Sequence, residues 1–332
     1  MKRSTRTGIA AVILLLAATG SVIARHPIHA ASHTHKPVVA KKKAPQFLHV
    51  TTANTGNLLV AKEGIALTHE SGHVMAVGGY TGVYSTSSVF EVFPSVKQTA
   101  TLPQPTHDAA AGYIDGKLYV FGGGQATSYP YIVRVSGTSS ANVENMARPL
   151  SDAVAVPYSF KGHQGQVVVG GYDGSVFNTV ARFYEAVPSG QLISRPLFTL
   201  KVGVRYAGVI AVGEDIYVAG GLTSSGALSN GIYRYSPAKG LVLIGHLAHP
   251  LQKAALFSWG GNLVIAGGYD ASGEAQNTIW DMNLATGKLR KIGTLPISLA
   301  DMGYTQMGNH GFLVGGTGAS AMNAHIYELT FK

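Results

Sequence analysis

Six times along the chain a short apolar run ends in a pair of glycines. The runs are His73-Val74-Met75-Ala76-Val77, Lys117-Leu118-Tyr119-Val120-Phe121, Gln166-Val167-Val168-Val169, Asp215-Ile216-Tyr217-Val218-Ala219, Asn262-Leu263-Val264-Ile265-Ala266 and Gly311-Phe312-Leu313-Val314. The first glycine of each pair falls at 78, 122, 170, 220, 267 and 315, at spacings of 44, 48, 50, 47 and 48 residues. Each pair sits in the same frame. A run of small residues such as Asp108-Ala109-Ala110-Ala111-Gly112-Tyr113 precedes it, joined by a turn such as Asp115-Gly116 or Gly260-Gly261. A polar loop follows, then a third run such as Gly231-Ile232-Tyr233-Arg234-Tyr235 and a fourth ending near Leu102-Pro103 or Leu295-Pro296. Two apolar runs joined by Asp-Gly or Gly-Gly predict a tight hairpin. Four short strands per repeat, with a period near 48, predict an all-β molecule of four-stranded antiparallel blades.

Such a blade has two apolar faces and leaves both wet when alone. Neighbouring blades bury them, and a closed ring leaves only short edges. The pattern predicts one six-bladed propeller over 47–332, with repeats near 57–104, 105–150, 151–200, 201–248, 249–295 and 296–332. The sixth repeat stops after its third strand, His325 to Thr330, while Gln46-Phe47-Leu48-His49-Val50-Thr51-Thr52 is strand-like and has no blade of its own. The segment 46–52 is therefore expected as the outer strand of the sixth blade.

The glycine pair that ends each second strand resembles the hallmark of kelch repeats. The aromatic that this family carries in its third strand is matched by Phe93, Phe183 and Tyr235; Val135, Met282 and Leu329 stand there elsewhere, and the fourth-strand Trp is missing. The resemblance implies a kelch-type β-propeller that presents function at one mouth of its central channel.

Composition supports the all-β reading. Gly makes up 42 of 332 residues, well above the usual ~7 %, and charged residues are 12 %, about half the usual ~25 %. The formal net charge of +9 suggests nucleic-acid binding until the charges are placed. Residues 1–46 hold eight of the 25 basic residues and no acid, leaving 17 basic against 16 acidic in the body. A nucleic-acid reader needs its basic patch on the folded domain, so that class is excluded.

Lys2, Arg3 and Arg6, the apolar stretch Gly8 to Ala18 and the small residues Ala24, Ala30 and Ala31 follow the order of a secretory signal peptide, assigned to 1–30. Cleavage after Ala24 and cleavage after Ala30 both fit, with an uncleaved anchor as the alternative; a secreted or extracytoplasmic protein is expected. Residues 31–46 read as a His-, Lys- and Pro-rich linker, whose Lys41, Lys42 and Lys43 suit weak contact with envelope polymers or a membrane surface. With no Cys, disulfides, thiolate metal sites and a cysteine nucleophile are excluded, and so is the copper-oxidase chemistry of some kelch-type propellers, which needs a tyrosine–cysteine cross-link. No cofactor or metal is expected.

Candidate chemistry gathers where first strands begin. Glu63, Asp108, Asp152, Arg205-Tyr206, Lys253 and Asp301 recur there, with His107 beside Asp108. Asp108, Tyr206, Lys253 and Asp301 each lie 14 residues before the first glycine of their pair. These residues are expected to ring the channel mouth and bind a polar ligand or a cation; solvation of strand starts is the plainer reading. After the glycine pairs, Tyr80, Tyr172 and Tyr269 recur in the first, third and fifth blades, the latter two followed by Asp173 and Asp270. Aromatic rings beside polar groups suit sugar stacking or protein contact. No Gly-x-Ser-x-Gly elbow, phosphate loop or His-Glu-x-x-His occurs. The reading is a non-catalytic scaffold at the cell envelope for a protein or glycan. The alternative is a carbohydrate-directed enzyme such as a sialic-acid mutarotase or epimerase, since other kelch-type propellers resemble sialic-acid mutarotases, with Glu63, His107, Asp108 and Arg205 as acid–base candidates.

Overall fold

Each repeat folds as one antiparallel sheet because its apolar runs alternate with turns that only a hairpin accommodates. At the blade 2 turn Asp115 and Gly116 take φ of 49° and 69°, the left-handed pair of a hairpin whose twist matches its strands. The computed structural model describes residues 48–332. The expected signal segment 1–30, the linker 31–46 and Lys41–Lys43 lie outside the described residues. Among the described residues there are strands and turns and no helix, so no helix is long and apolar enough to cross a membrane.

Blade 1 comprises Ala66–Glu70, His73–Val77, Thr86–Phe93 and Lys97–Thr106. Blade 2 comprises Ala110–Ile114, Lys117–Phe121, Tyr131–Ser136 and Ser139–Asn145. Blade 3 comprises Ser151–Phe160, His163–Tyr172, Val180–Ala186 and Leu192–Thr199. Blade 4 comprises Gly208–Val212, Asp215–Ala219, Gly231–Ser236 and Gly240–His246, with a short ladder of Val204–Arg205 on Leu222–Thr223. Blade 5 comprises Ala255–Trp259, Asn262–Ala266, Thr278–Asn283 and Leu289–Thr294. Blade 6 comprises Gly303–Met307, His310–Val314 and His325–Phe331, and its outer strand is Val50–Asn57.

Over the described residues that outer strand runs Val50–Asn57, past the expected end at 52, and pairs Val50 with Phe331 and Asn57 with His325; residues 46 and 47 of the expected span lie outside the described residues. His49 and Lys332 exchange backbone hydrogen bonds just before it, at 3.1 and 2.9 Å. The extension has a simple cause. An outermost strand is largely wet, so polar Thr51 to Asn57 can extend the ladder with no apolar alternation to mark them.

The core lies between blades rather than within them. Among the described residues six apolar clusters occur, one at each junction of adjacent blades. Phe257, Val264 and Ile279 of blade 5 meet Leu313, Leu329 and Phe331 of blade 6, and Leu67 and Phe90 of blade 1 meet Phe312 and Val314 of blade 6. Burial of each such side chain contributes about 1.5–3 kcal/mol.

The glycine pairs are the couplings. A Cβ on Gly122 would lie 2.0 Å from the Leu150 carbonyl oxygen, and one on Gly267 would lie 2.2 Å from that of Leu299. Each carbonyl belongs to the segment leading into the next blade and accepts from the second glycine: Gly123 N–H at 2.8 Å, Gly268 N–H at 2.9 Å. Gly316 N–H completes the circle on the Lys62 carbonyl of blade 1 at 2.7 Å.

Candidate functional site

At the axis a second set of bonds encircles the channel. The N–H of Asp108 donates to the Gly64 carbonyl, Asp152 to Asp108, Tyr206 to Asp152, Lys253 to Tyr206, Asp301 to Lys253 and Gly64 to Asp301, at 2.8–3.2 Å. One residue from every blade thus closes a six-membered backbone ring. All six have positive φ, from 52° at Asp108 to 62° at Asp152. This conformation costs a non-glycine residue about 1 kcal/mol or more. The ring offsets that cost by satisfying its own donors and acceptors. Because the backbone is spoken for, five side chains are turned to the channel mouth, and Gly64 contributes none.

The mouth opens a channel of about 420 Å³, lined by the ring residues and the inner strands. Its wall is mostly small or aliphatic, as at Ala111, Ala155 and Leu256. Tyr304 of blade 6 reaches across to blade 4, where its hydroxyl lies 2.8 Å from Val209 N and 3.1 Å from Val209 O. Beyond that bar the lining is polar again: Gln166 donates to the Tyr113 carbonyl at 2.8 Å, and His69 Nδ1 lies 2.9 Å from Thr305 Oγ1.

Two of the three ring carboxylates hold a cation from a neighbouring blade. Arg205 Nη2 lies 2.7 Å from Asp152 Oδ2, and Ser151 Oγ donates to the same oxygen at 2.8 Å. The short ladder of blade 4, pairing Arg205 with Leu222, holds that guanidinium in place. It stacks 4.3 Å from the Tyr206 ring and 4.9 Å from the Tyr172 ring. Lys253 pairs with Asp301 and sits 4.2 Å from the Tyr206 ring centre. Burial works against the Lys253 ammonium, but Asp301, Asp108 and Tyr206 outweigh it and push its pKa above the usual lysine range.

Asp108 differs. Among the described residues no lysine or arginine is within ion-pair reach of it, and His107 Nε2 lies 3.9 Å away. Burial pushes its carboxyl up to about 6; Lys253 opposes the rise, while Asp152 adds to it by charge and through a shared side-chain hydrogen bond. Burial also raises Asp152, against Arg205 and the Ser151 hydroxyl. Asp152 Oδ1 is buried with no fixed donor, so a proton on Asp108 is the donor at hand. Asp108, raised to about 6, and Asp152 are two carboxyls at one mouth, groups that proton transfer can use.

The remaining sequence candidates divide. Glu63 is not the ring residue of its blade; Gly64 is, and the Glu63 carboxylate accepts from the Thr317 hydroxyl instead. In blade 4 the ring residue is Tyr206, with Arg205 beside it. His107 lies against the Tyr80 ring at 5.4 Å and 2.8 Å from Ser85 Oγ. Tyr80 and Tyr172 stand at the rim, their hydroxyls donating to Gly82 and Gly174 of their own loops, and burial raises the Tyr269 hydroxyl. Asp173 and Asp270 do not join the mouth. Asp173 Oδ1 accepts from Ser175 N and Val176 N at 2.9 and 2.7 Å, and Asp270 Oδ1 from Ser272 N and Glu274 N at 2.9 and 3.1 Å. Each closes its own turn, as aspartates in tight loops do. The Ser272 hydroxyl and those amides hold Asp270 below the usual carboxylate range.

Gly64 and Tyr304 escaped the sequence reading, although both left a trace. Gly64 lies 14 residues before Gly78, the same offset as four of its equivalents, and Tyr304 is the one aromatic at a position that elsewhere holds Leu67, Ala111, Ala155, Val209 and Leu256. Among the described residues no group of three or more His, Asp or Glu is arranged to hold a metal ion.

Comparison with known proteins gives the fold its type. The kelch motif model matches residues 204–241, the ring segment and first three strands of blade 4. No curated protein matches the chain. A solved structure titled "Structure of YjhT" superposes with a TM-score of 0.70 at 15 % identity, covering 83 % of this chain and 99 % of that one, a likeness of fold alone. With a kelch motif in its fourth blade and six four-stranded blades in a ring, the chain is a six-bladed β-propeller that carries a kelch motif.

Proposed function

We propose that this propeller is an exported binding scaffold whose protein or glycan ligand enters the axial mouth. The supporting observation is the convergence of Asp108, Asp152, Tyr206, Lys253 and Asp301, each from a different blade, on one ring at a channel opening. Rigid backbone carries them, and carboxylates, cations and tyrosines in one concave site are what a polar ligand needs for orientation. The loops around the same mouth, between second and third strands and between blades, expose Leu59, Val60, Val83, Tyr84, Val176 and Val202. Apolar rim residues beside a polar centre suit contact with a macromolecule. The decisive measurement is chemical-shift mapping of the purified propeller against glycan and peptide libraries: ligands that shift ring residues support this reading, and ligands that shift only outer strands overturn it.

A second reading rests on the Asp108–Asp152 pair, whose shared hydrogen bond suits proton transfer on a sugar, as in mutarotation or epimerisation. NMR of anomer exchange tests it. Acceleration that disappears in Asp108→Asn favours the enzyme; binding with no change in exchange rate favours the scaffold.

A further inference from the structure

The three ring carboxylates are not equivalent, and the difference specifies what the mouth lacks. Asp152 and Asp301 each hold a cation from the adjacent blade, with a tyrosine face against it: Arg205 on Tyr206 and Tyr172, Lys253 on Tyr206. Carboxylate plus aromatic face is thus the device by which this mouth holds a positive charge, used twice. Asp108 has no such cation: among the described residues no lysine or arginine pairs with it. Its side chain retains 15 % exposure, against 1 % for Asp152 and 9 % for Asp301. On its other side the ring position is Gly64, where a Cβ would lie 2.7 Å from Asp108 Oδ1. The carboxyl occupies the space that a side chain from blade 1 would fill. His107 Nε2 lies 3.9 Å from this carboxyl, and the Tyr80 ring lies 5.4 Å from the His107 ring.

The charge balance points the same way. Arg205 and Lys253 are matched by Asp152 and Asp301, which leaves Asp108 and Glu63 as the surplus at this mouth, with His107 beside Asp108. The buried Asp152 Oδ1 is a second acceptor lacking a fixed donor. At the ring itself an anionic ligand would find Arg205 and Lys253 already paired. A cationic one finds a carboxylate already placed.

Resting on the proposed binding role of the mouth, we infer that the position beside Asp108 takes a primary ammonium group, that of a lysine side chain carried by a partner segment, in the manner in which Lys253 is held by Asp301. Lysine is favoured over other amines because its apolar stem suits the rim formed by Val83 and Tyr84, exposed at 83 % and 59 % on the loop that follows Tyr80.

The test uses the propeller and two probes, Nα-acetyl-lysine methylamide and its Nε-acetylated counterpart, with D-glucosamine as a third. Chemical-shift titration is expected to place the free-ammonium probe at Asp108, His107 and Tyr80, with an affinity about tenfold or more above that of the acetylated probe, the scale of one charge-assisted hydrogen bond. Asp108→Asn is expected to abolish the difference; asparagine tolerates the positive φ of this position. Binding is also expected to release a proton below about pH 6, since a cation favours the carboxylate form. Equal affinity for both lysine probes at the mouth overturns the inference while leaving the binding role intact. Glucosamine binding there with the lysine probe silent overturns the lysine assignment. Shifts confined to the outer strands overturn both the inference and the binding role.

Discussion

At the scale of single residues, the left-handed backbone decides most of what is unusual about this chain. The glycine pairs combine a positive φ with a carbonyl in van der Waals contact, so two penalties act on any substitution there. Gly122→Ala is expected to lower the unfolding free energy by about 2 kcal/mol or more, from strain and from collision with the Leu150 carbonyl. Gly174→Ala has the positive φ, at 102°, but no atom within 4 Å of the added carbon. Its cost is expected to be at least twofold smaller, and urea denaturation of the two variants makes the comparison. Arg205→Ala leaves the Asp152 carboxylate buried without its cation and is expected to cost about 3–5 kcal/mol near neutral pH. The companion variant Asp152→Asn removes the charge along with the need for it. The double variant is expected to be more stable than Arg205→Ala alone, measured by thermal unfolding.

At the scale of elements, one strand carries an unusual share of the architecture. Val50–Asn57 supplies the outer edge of a blade whose other three strands lie some 250 residues further along, so it joins the two ends of the ring. The inter-blade clusters show why that matters: Leu329 and Phe331, beneath this strand, are fully buried and pack on Phe257 of blade 5. A chain that begins after Asn57 is expected to unfold at a lower temperature and to lose amide-exchange protection first in His325–Phe331. Uniform loss of protection across all blades would contradict this role. Hairpins and glycine pairs were legible in the sequence because turn chemistry and close approach demand particular residues. The limits of this strand were not, because no burial pattern marks a wet edge.

At the scale of the whole molecule, pH acts through the ring. Asp108 binds its proton more tightly folded, at about 6, than it does in an unfolded chain, at about 3.9. Between those values the native state carries more protons than the unfolded one, so stability falls as pH rises through about 4 to 6. Burial of Asp301, with Asp108 nearby, adds in the same direction, opposed by Lys253. Asp108→Asn is expected to flatten this slope, as denaturant midpoints across the interval would report. A slope unchanged by the substitution would assign the effect elsewhere.

The sequence by itself determined the repeat and the number of blades, because period, turn chemistry and the glycine pairs are local requirements written into neighbouring residues. It also carried Asp108, Asp152, Tyr206, Lys253 and Asp301 to notice, since one offset from the glycine pairs places most of them. Only the tertiary structure decided what those residues do. Which carboxylate meets which cation depends on blades 44–50 residues apart in the chain that become neighbours only when the ring shuts. The same closure left Asp108 without the lysine or arginine partner that Asp152 and Asp301 each have. That outcome follows from distances across a closed circle, and a linear chain holds no record of it.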